Sequence, residues 1–333
     1  MMLNLNATRV AVSLLAFSQA GAAAPGIATP SNEPITPIPL VENYNAARAA
    51  LGAKLFVDPR LSHDTSDSCA SCHRLYQGGT EHTAVVSIQN RLMNKVNVPT
   101  IFNAAYNYRH GWSGSGRSLK DQIERILQYM ATNSDDENLL PMITERVNKD
   151  SYYHDEFNRL YRKGVNTDSL ADAVTEYVKS LSTPNARFDR YLRGDKSAIT
   201  DEEKQGYVLF KEYGCISCHQ GVNIGGNLYQ KFGIFYKYFE AKGNNVAADN
   251  GRYNVTGRKE DMHVFRVPSL RNVELTAPYL HDGEAETLDE VVEIMGRTQL
   301  GKFLVPGDID LIVKFLKTLT GDYNGIPLRD IQE

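Results

Sequence analysis

The chain has 333 residues, room for two domains of ordinary size, and its 36 basic residues against 40 acidic ones give a net charge of −4. That balance supplies no basic surface for nucleic acid or an anionic membrane, and a hydrophobic fraction of 42% is that of a globular protein. Neither a nucleic-acid partner nor a permanent membrane span is expected.

Taken in order, residues 1–22 read as a secretory signal peptide. Arg9 precedes an apolar run from Val10 to Phe17, and Ala20-Gly21-Ala22 offers a small-x-small site, so cleavage is expected near Ala22–Ala24. Residues 23–38 contain Pro25, Pro30, Pro34 and Pro37 with little periodicity, the composition of a flexible leader. From residue 39 the pattern is mostly helical. Asn45 to Phe56 is amphipathic. Ser118 can cap a helix through Leu119, Ile123, Ile126 and Leu127, and Thr167 or Asp168 opens another carrying Leu170, Val174 and Val178.

A second half begins near residue 197. Thr200 and Glu203 form a capping box for a helix ending at Gly214, Thr287 and Glu290 repeat the device for Leu288–Met295, and Asp308–Leu319 is strongly apolar. Residues 220–262 form a long loop whose conformation the pattern does not specify. The fold class expected is mostly α with little β structure, as two cytochrome c-like haem domains packed together at 39–196 and 197–333.

Two pentapeptides contain every cysteine in the chain: Cys69-Ala70-Ser71-Cys72-His73 and Cys215-Ile216-Ser217-Cys218-His219. Thiols at this spacing can each form a thioether to a porphyrin vinyl group while the adjacent imidazole reaches the iron. A zinc site would want four cysteines close together, and the two motifs lie in opposite halves. Two covalently bound c-type haems follow, with His73 and His219 as iron ligands. Because such haem is attached outside the bacterial cytoplasm, a periplasmic location is expected. The sixth position is either open, to bind peroxide, or closed by one of the remaining histidines and methionines. Met295 sits on an apolar helix face, where a methionine can be a ligand or a filler of the core.

Several longer stretches resemble the bacterial dihaem cytochrome c peroxidases, the superfamily that also contains MauG-type enzymes. They are Leu51–Ser62, Gly78-Gly79, Asn97-Val98-Pro99-Thr100, Phe188-Asp189-Arg190-Tyr191, Val267–Asn272 and Thr276–Gly283. The resemblance implies a peroxidatic haem at His73 and an electron-entry haem at His219 with Met295 as sixth ligand. It implies Trp112 as an aromatic bridge between haems and Gln122 as a distal amide that contacts peroxide. It also implies a calcium site of Asn97, Thr276 and Pro278, an amide oxygen and two backbone carbonyls of the kind a hard cation takes. Hydrogen peroxide would be the substrate, a small soluble cytochrome c or cupredoxin the electron donor, and a homodimer the habit of the family.

The match breaks in two places. Most members carry a displaceable histidine some way after the first haem motif, where this chain reads Ser87-Ile88-Gln89-Asn90-Arg91. The peroxidatic iron is therefore expected to lack that ligand and to be open, water-bound or weakly capped, with Met93 a conceivable cap. The usual loop bearing a catalytic glutamate is also absent, leaving the acidic run at 135–137, with Asp136 and Glu137 as candidates. Two other functions stay open at this point. One is a MauG-type enzyme that oxidises side chains of a partner protein, and the other is a non-enzymatic dihaem electron carrier.

Overall fold

In each half, a helix with a central glycine precedes a Cys-x-x-Cys-His motif. The computed structural model describes residues 33–41, 43–86, 96–132 and 137–332, and these belong to one compact unit. The expected signal peptide lies outside the described residues, as do Asp136, Met93 and residues 87–91.

Helix α1 (Ala46–Phe56), capped by the Asn45 side chain on the Arg48 amide, precedes α2 (Cys69–Cys72). Next come α3 (Leu119–Met130), α4 (Leu140–Asn148), α5 (Ser151–Leu160), α6 (Thr167–Ser180) and α7 (Arg187–Leu192). The second half has α8 (Asp201–Tyr213), α9 (Tyr238–Lys242), α10 (Tyr253–Thr256), α11 (Leu288–Gln299) and α12 (Pro306–Lys317). Strands among the described residues are short. Antiparallel β1 (Tyr229–Lys231) and β2 (Val264–Arg266) tie the two ends of the long loop, and β3 (Asp322–Tyr323) pairs with β4 (Ile326–Pro327).

Two helix crossings organise the cores. α1 packs on α6 and α8 on α12, each through a glycine at the closest point. A Cβ added to Gly52 would lie 2.0 Å from the Ala173 carbonyl oxygen, and one on Gly206 would lie 1.9 Å from that of Leu311. Only hydrogen fits there, so backbone meets backbone. The first crossing sits in a cluster with Leu51, Leu55, Val174 and Val178, the second in one with Tyr207, Phe210, Phe315 and Leu316.

The repetition extends further. One constant shift, with no insertion or deletion, lays residues 97–130 on 266–299. It matches Val98-Pro99 to Val267-Pro268 and Asn103 (φ 59°) to Asn272 (φ 58°), each opening a 3-10 turn. It matches the His110–Gly116 bridge to the Tyr279–Ala285 bridge, and the Ser118 cap of α3 to the Thr287 cap of α11. The copies also exchange bonds. The Asn97 amide donates to the His281 carbonyl at 2.8 Å, and its counterpart, the Arg266 amide, donates to the Trp112 carbonyl at 2.9 Å.

The expected leader is packed at its end. Ile35 and Ile38 are fully buried, the Gly221 amide donates to the Pro34 carbonyl at 2.9 Å, and Arg271 Nη2 donates to the Thr36 carbonyl at 3.0 Å. Two isoleucines among the prolines give this segment apolar area to bury, which its composition as a whole conceals. Arg271 also meets Asp189 on α7 at 2.7 Å, with neither side chain exposed.

Candidate functional site

Each Cys-x-x-Cys-His motif is a single helical turn closed onto its histidine. The His73 amide donates to the Cys69 carbonyl at 2.9 Å, and the His219 amide to that of Cys215 at 3.0 Å. No disulfide joins the cysteines. Burial pushes Cys69 and Cys215 up to about 11 and Cys72 up to about 12. A dithiol redox pair needs a lowered thiol pKa, so these surroundings argue against thioredoxin-like exchange and suit attachment points.

Both imidazoles are oriented in the same way. His73 Nδ1 lies 3.1 Å from the Gly79 carbonyl oxygen and His219 Nδ1 lies 3.3 Å from that of Ile224. A carbonyl can only accept, so Nδ1 carries the proton and the Nε2 lone pair is left for a metal. Burial lowers the basicity of both rings, that of His219 to about 4, which keeps them neutral. The loop after His219 depends on Gly225 at φ 127°, where a Cβ would stand 2.1 Å from the Pro268 carbonyl oxygen.

A cavity of about 530 Å³ opens beside His219. Its wall includes Cys215, Cys218, Phe210 and Phe265, and from α11 Leu288, Val291, Val292 and Met295. The volume and apolar lining are of the kind that takes a planar aromatic cofactor. Met295 thus shares a cavity with His219.

Trp112, Asn97, Thr276 and Pro278 line the same cavity. Trp112 Nε1 donates to the Asn97 carbonyl at 2.8 Å, and its ring meets the edge of His281 at 6.4 Å between centroids. The Asn97 side-chain amide sits 2.9 Å from the Thr83 carbonyl oxygen and 3.2 Å from that of Pro278. Gln122, on α3, is half-buried, and its Oε1 has no hydrogen-bond partner. Glu137 is exposed. Near the first motif, His82 is held by Leu275, whose carbonyl oxygen lies 2.8 Å from Nε2. His110 is buried without a side-chain hydrogen bond, and burial followed by the Arg266 charge lowers it to about 4.

A buried polar group that no sequence motif marks adjoins the cavity through His281. His281 Nε2 lies 2.7 Å from Asp249, and Lys242 meets Asp282 at 2.6 Å and Asp249 at 3.5 Å. The Lys242 ammonium already bridges these carboxylates and Glu284, so the cluster is an ion-pair network rather than a metal centre. Arg266, 4% exposed, lines the cavity with only carbonyl and amide oxygens as acceptors, the nearest being Gly111 at 3.1 Å. No signal in the sequence could join residues 242, 249 and 281, which meet only in the fold.

A family model described as di-haem cytochrome c peroxidase matches residues 46–197. The chain is 40% identical over 316 residues to the cytochrome c551 peroxidase of Nitrosomonas europaea, covering 93% of this chain and 91% of that protein. It is 40% identical over 300 residues to the cytochrome c peroxidase Ccp of Escherichia coli, covering 88% of this chain and 62% of that one. The fold is similar to the crystal structure of a MauG-like protein associated with microbial copper homeostasis. The TM-score is 0.72 at 24% identity, over 90% of this chain and 96% of that one.

Proposed function

The chain belongs to the di-haem cytochrome c peroxidase family and is a cytochrome c peroxidase, and from that premise we propose a division of labour between its two halves. Two haem c groups, when bound, supply the one-electron chemistry by which hydrogen peroxide, two protons and two electrons become two waters. In this reading Cys69 and Cys72 would tether the peroxidatic haem and His73 would ligate its iron. Cys215, Cys218, His219 and Met295 hold the electron-entry haem, where a thioether ligand raises the potential to suit a small soluble cytochrome c or cupredoxin donor.

The chain's own groups then orient the substrate and move protons. The Gln122 amide positions peroxide, and an acid among Asp136 and Glu137 transfers a proton between its oxygens. Trp112 carries electronic contact from one half to the other. The carbonyls of Thr276 and Pro278 with the Asn97 amide oxygen would bind Ca²⁺ at the junction, with the Asn97 amide turned from its present contact, in which Nδ2 donates to the Pro278 carbonyl at 3.2 Å. The protein is exported to the periplasm. No helix among the described residues is long and apolar enough to cross a membrane.

One observation carries the reading. Both histidines are poised alike through Nδ1, and a methionine shares the cavity at His219, whereas near His73 the ring of His82 is tied to a backbone carbonyl. The histidine absent from positions 87–91 also favours a second reading, oxidation of a partner protein through an open haem. Absorption and EPR spectra of the oxidised and half-reduced protein, then peroxide with reduced cytochrome c, separate the two. A high-spin haem in the oxidised state and cytochrome oxidation without pre-reduction support peroxide reduction. High-valent haem with negligible cytochrome oxidation supports the partner-protein oxidase, and two low-spin haems refute the open site.

A further inference from the structure

The shift that lays residues 97–130 on 266–299 pairs each wall residue of α11 with one residue of α3. Leu288 falls on Leu119, Val291 on Gln122, Val292 on Ile123 and Met295 on Ile126. The register is fixed by backbone geometry on both sides of these residues. Gly111 (φ 73°) matches Leu280 (φ 70°), and Gly114 (φ 65°) matches Gly283 (φ 68°). Both helices begin one residue after a hydroxyl cap that accepts from an amide three residues on: Ser118 from Asp121 at 3.1 Å, Thr287 from Glu290 at 3.2 Å. Both run for 12 residues. The backbones therefore present positions 126 and 295 alike, each half-buried.

Chemistry differs at that one position. A methionine thioether has a lone pair to give to iron, and an isoleucine has none. One turn earlier the asymmetry runs the other way. Val291 lines the cavity by His219, while its counterpart Gln122 brings a side-chain oxygen with no hydrogen-bond partner. A buried acceptor without a partner costs free energy unless a donor arrives, and peroxide is such a donor.

We propose that Ile126 keeps the first haem open: it occupies in α3 the position from which Met295 ligates in α11, and so reserves the sixth site on the His73 side for peroxide under Gln122. The inference rests on His73, His219 and Met295 being the iron ligands. It adds that the difference between a carrier haem and a reactive haem is written largely at one side chain of a duplicated helix.

The test is Ile126→Met in the protein carrying both haems, a swap of nearly equal volume that a core tolerates. The oxidised variant should lose the high-spin EPR signal of the first haem and gain a second thioether-to-iron charge-transfer band. It should bind cyanide about tenfold more weakly or worse, a factor that corresponds to about 1.4 kcal/mol of competition by the new ligand. Ile126→Leu, equal in size and without a lone pair, should keep the wild-type spectra. Ile126→His, with a nitrogen donor, should close the iron without the thioether band. A high-spin first haem that persists in both donor variants overturns the proposal, and so does a wild-type first haem that is already low-spin. Met295→Ile separates the underlying reading: it should create a second high-spin haem and a second cyanide site. If it changes nothing, the assignment of Met295 fails; if it behaves as expected while Ile126→Met and Ile126→His stay open, only the role of Ile126 fails.

Discussion

Replacing Gly206 by alanine should destabilise the protein, although alanine is the better helix former. In an unobstructed helix the exchange gains about 1 kcal/mol. Here the new methyl would stand 1.9 Å from the Leu311 carbonyl oxygen and 3.0 Å from Phe315 Cβ, and real Cβ contacts essentially never fall under 3.0 Å. The obstacle is backbone, so no rotamer relieves it, and α8 and α12 must separate by about 1 Å along a face that includes Tyr207, Phe210 and Leu316. Overpacking of this kind costs about 3 kcal/mol at the upper end of its usual range. The net loss is then about 2 kcal/mol, a fall of roughly 3 °C in melting temperature for a chain of this size. Thermal melts of the holoprotein read this directly. Gly307, near the start of α12, is the control: nothing lies within 4 Å of its added Cβ, so Gly307→Ala should hold or raise the melting temperature. A Gly206→Ala protein that melts at or above wild type would refute the argument that the crossing is set by backbone contact.

Asp189→Asn should cost about 3 kcal/mol or more in denaturant unfolding, because it strands the Arg271 guanidinium, fully buried at 2.7 Å from its only carboxylate. His110 should impose a pH dependence. Its folded pKa is lowered by burial, then by Arg266, to about 4, against 6.5 when unfolded. The unfolded state therefore binds the extra proton between those values, and stability present above pH 6.5 is lost as pH falls toward 4, by about 3 kcal/mol in all. Chemical denaturation at pH 7 and pH 4.5 should show a smaller difference for His110→Gln than for wild type, despite the attraction of Asp121. Trp112→Phe removes the 2.8 Å bond to the Asn97 carbonyl, and stopped-flow should show slower electron transfer between the haems with the KM for donor unchanged.

Much of the helical frame was legible because its signals are local. Hydroxyl caps at Ser118, Thr200 and Thr287 start helices where expected, and Thr200 with Glu203 closes a capping box. Helix α6 opens at Thr167, one of the two expected positions, with Asn166 before it as the cap that accepts from the Ser169 amide. Helices α4, α5 and α7 were not anticipated: α4 has no side-chain cap bond, α5 is aromatic and polar, and α7 is short. Long-range pairing was not legible at all. β1 finds β2 across the loop at 220–262, and His281 finds Asp249 and Lys242, through contacts that no window of neighbouring residues contains. Of the candidate site, the motifs declared which residues can meet a haem. The backbone register that compares Ile126 with Met295 needed both halves folded.

The exchanged amide bonds, Asn97 to His281 and Arg266 to Trp112, obey the rule of an isologous contact: what one copy donates, the other donates back. A chain with a single motif would have to associate with its own double to satisfy them. Here both partners lie on one backbone, so their effective concentration is fixed by the tether and does not fall on dilution. Two redox centres that must exchange electrons thus stay joined at any protein concentration.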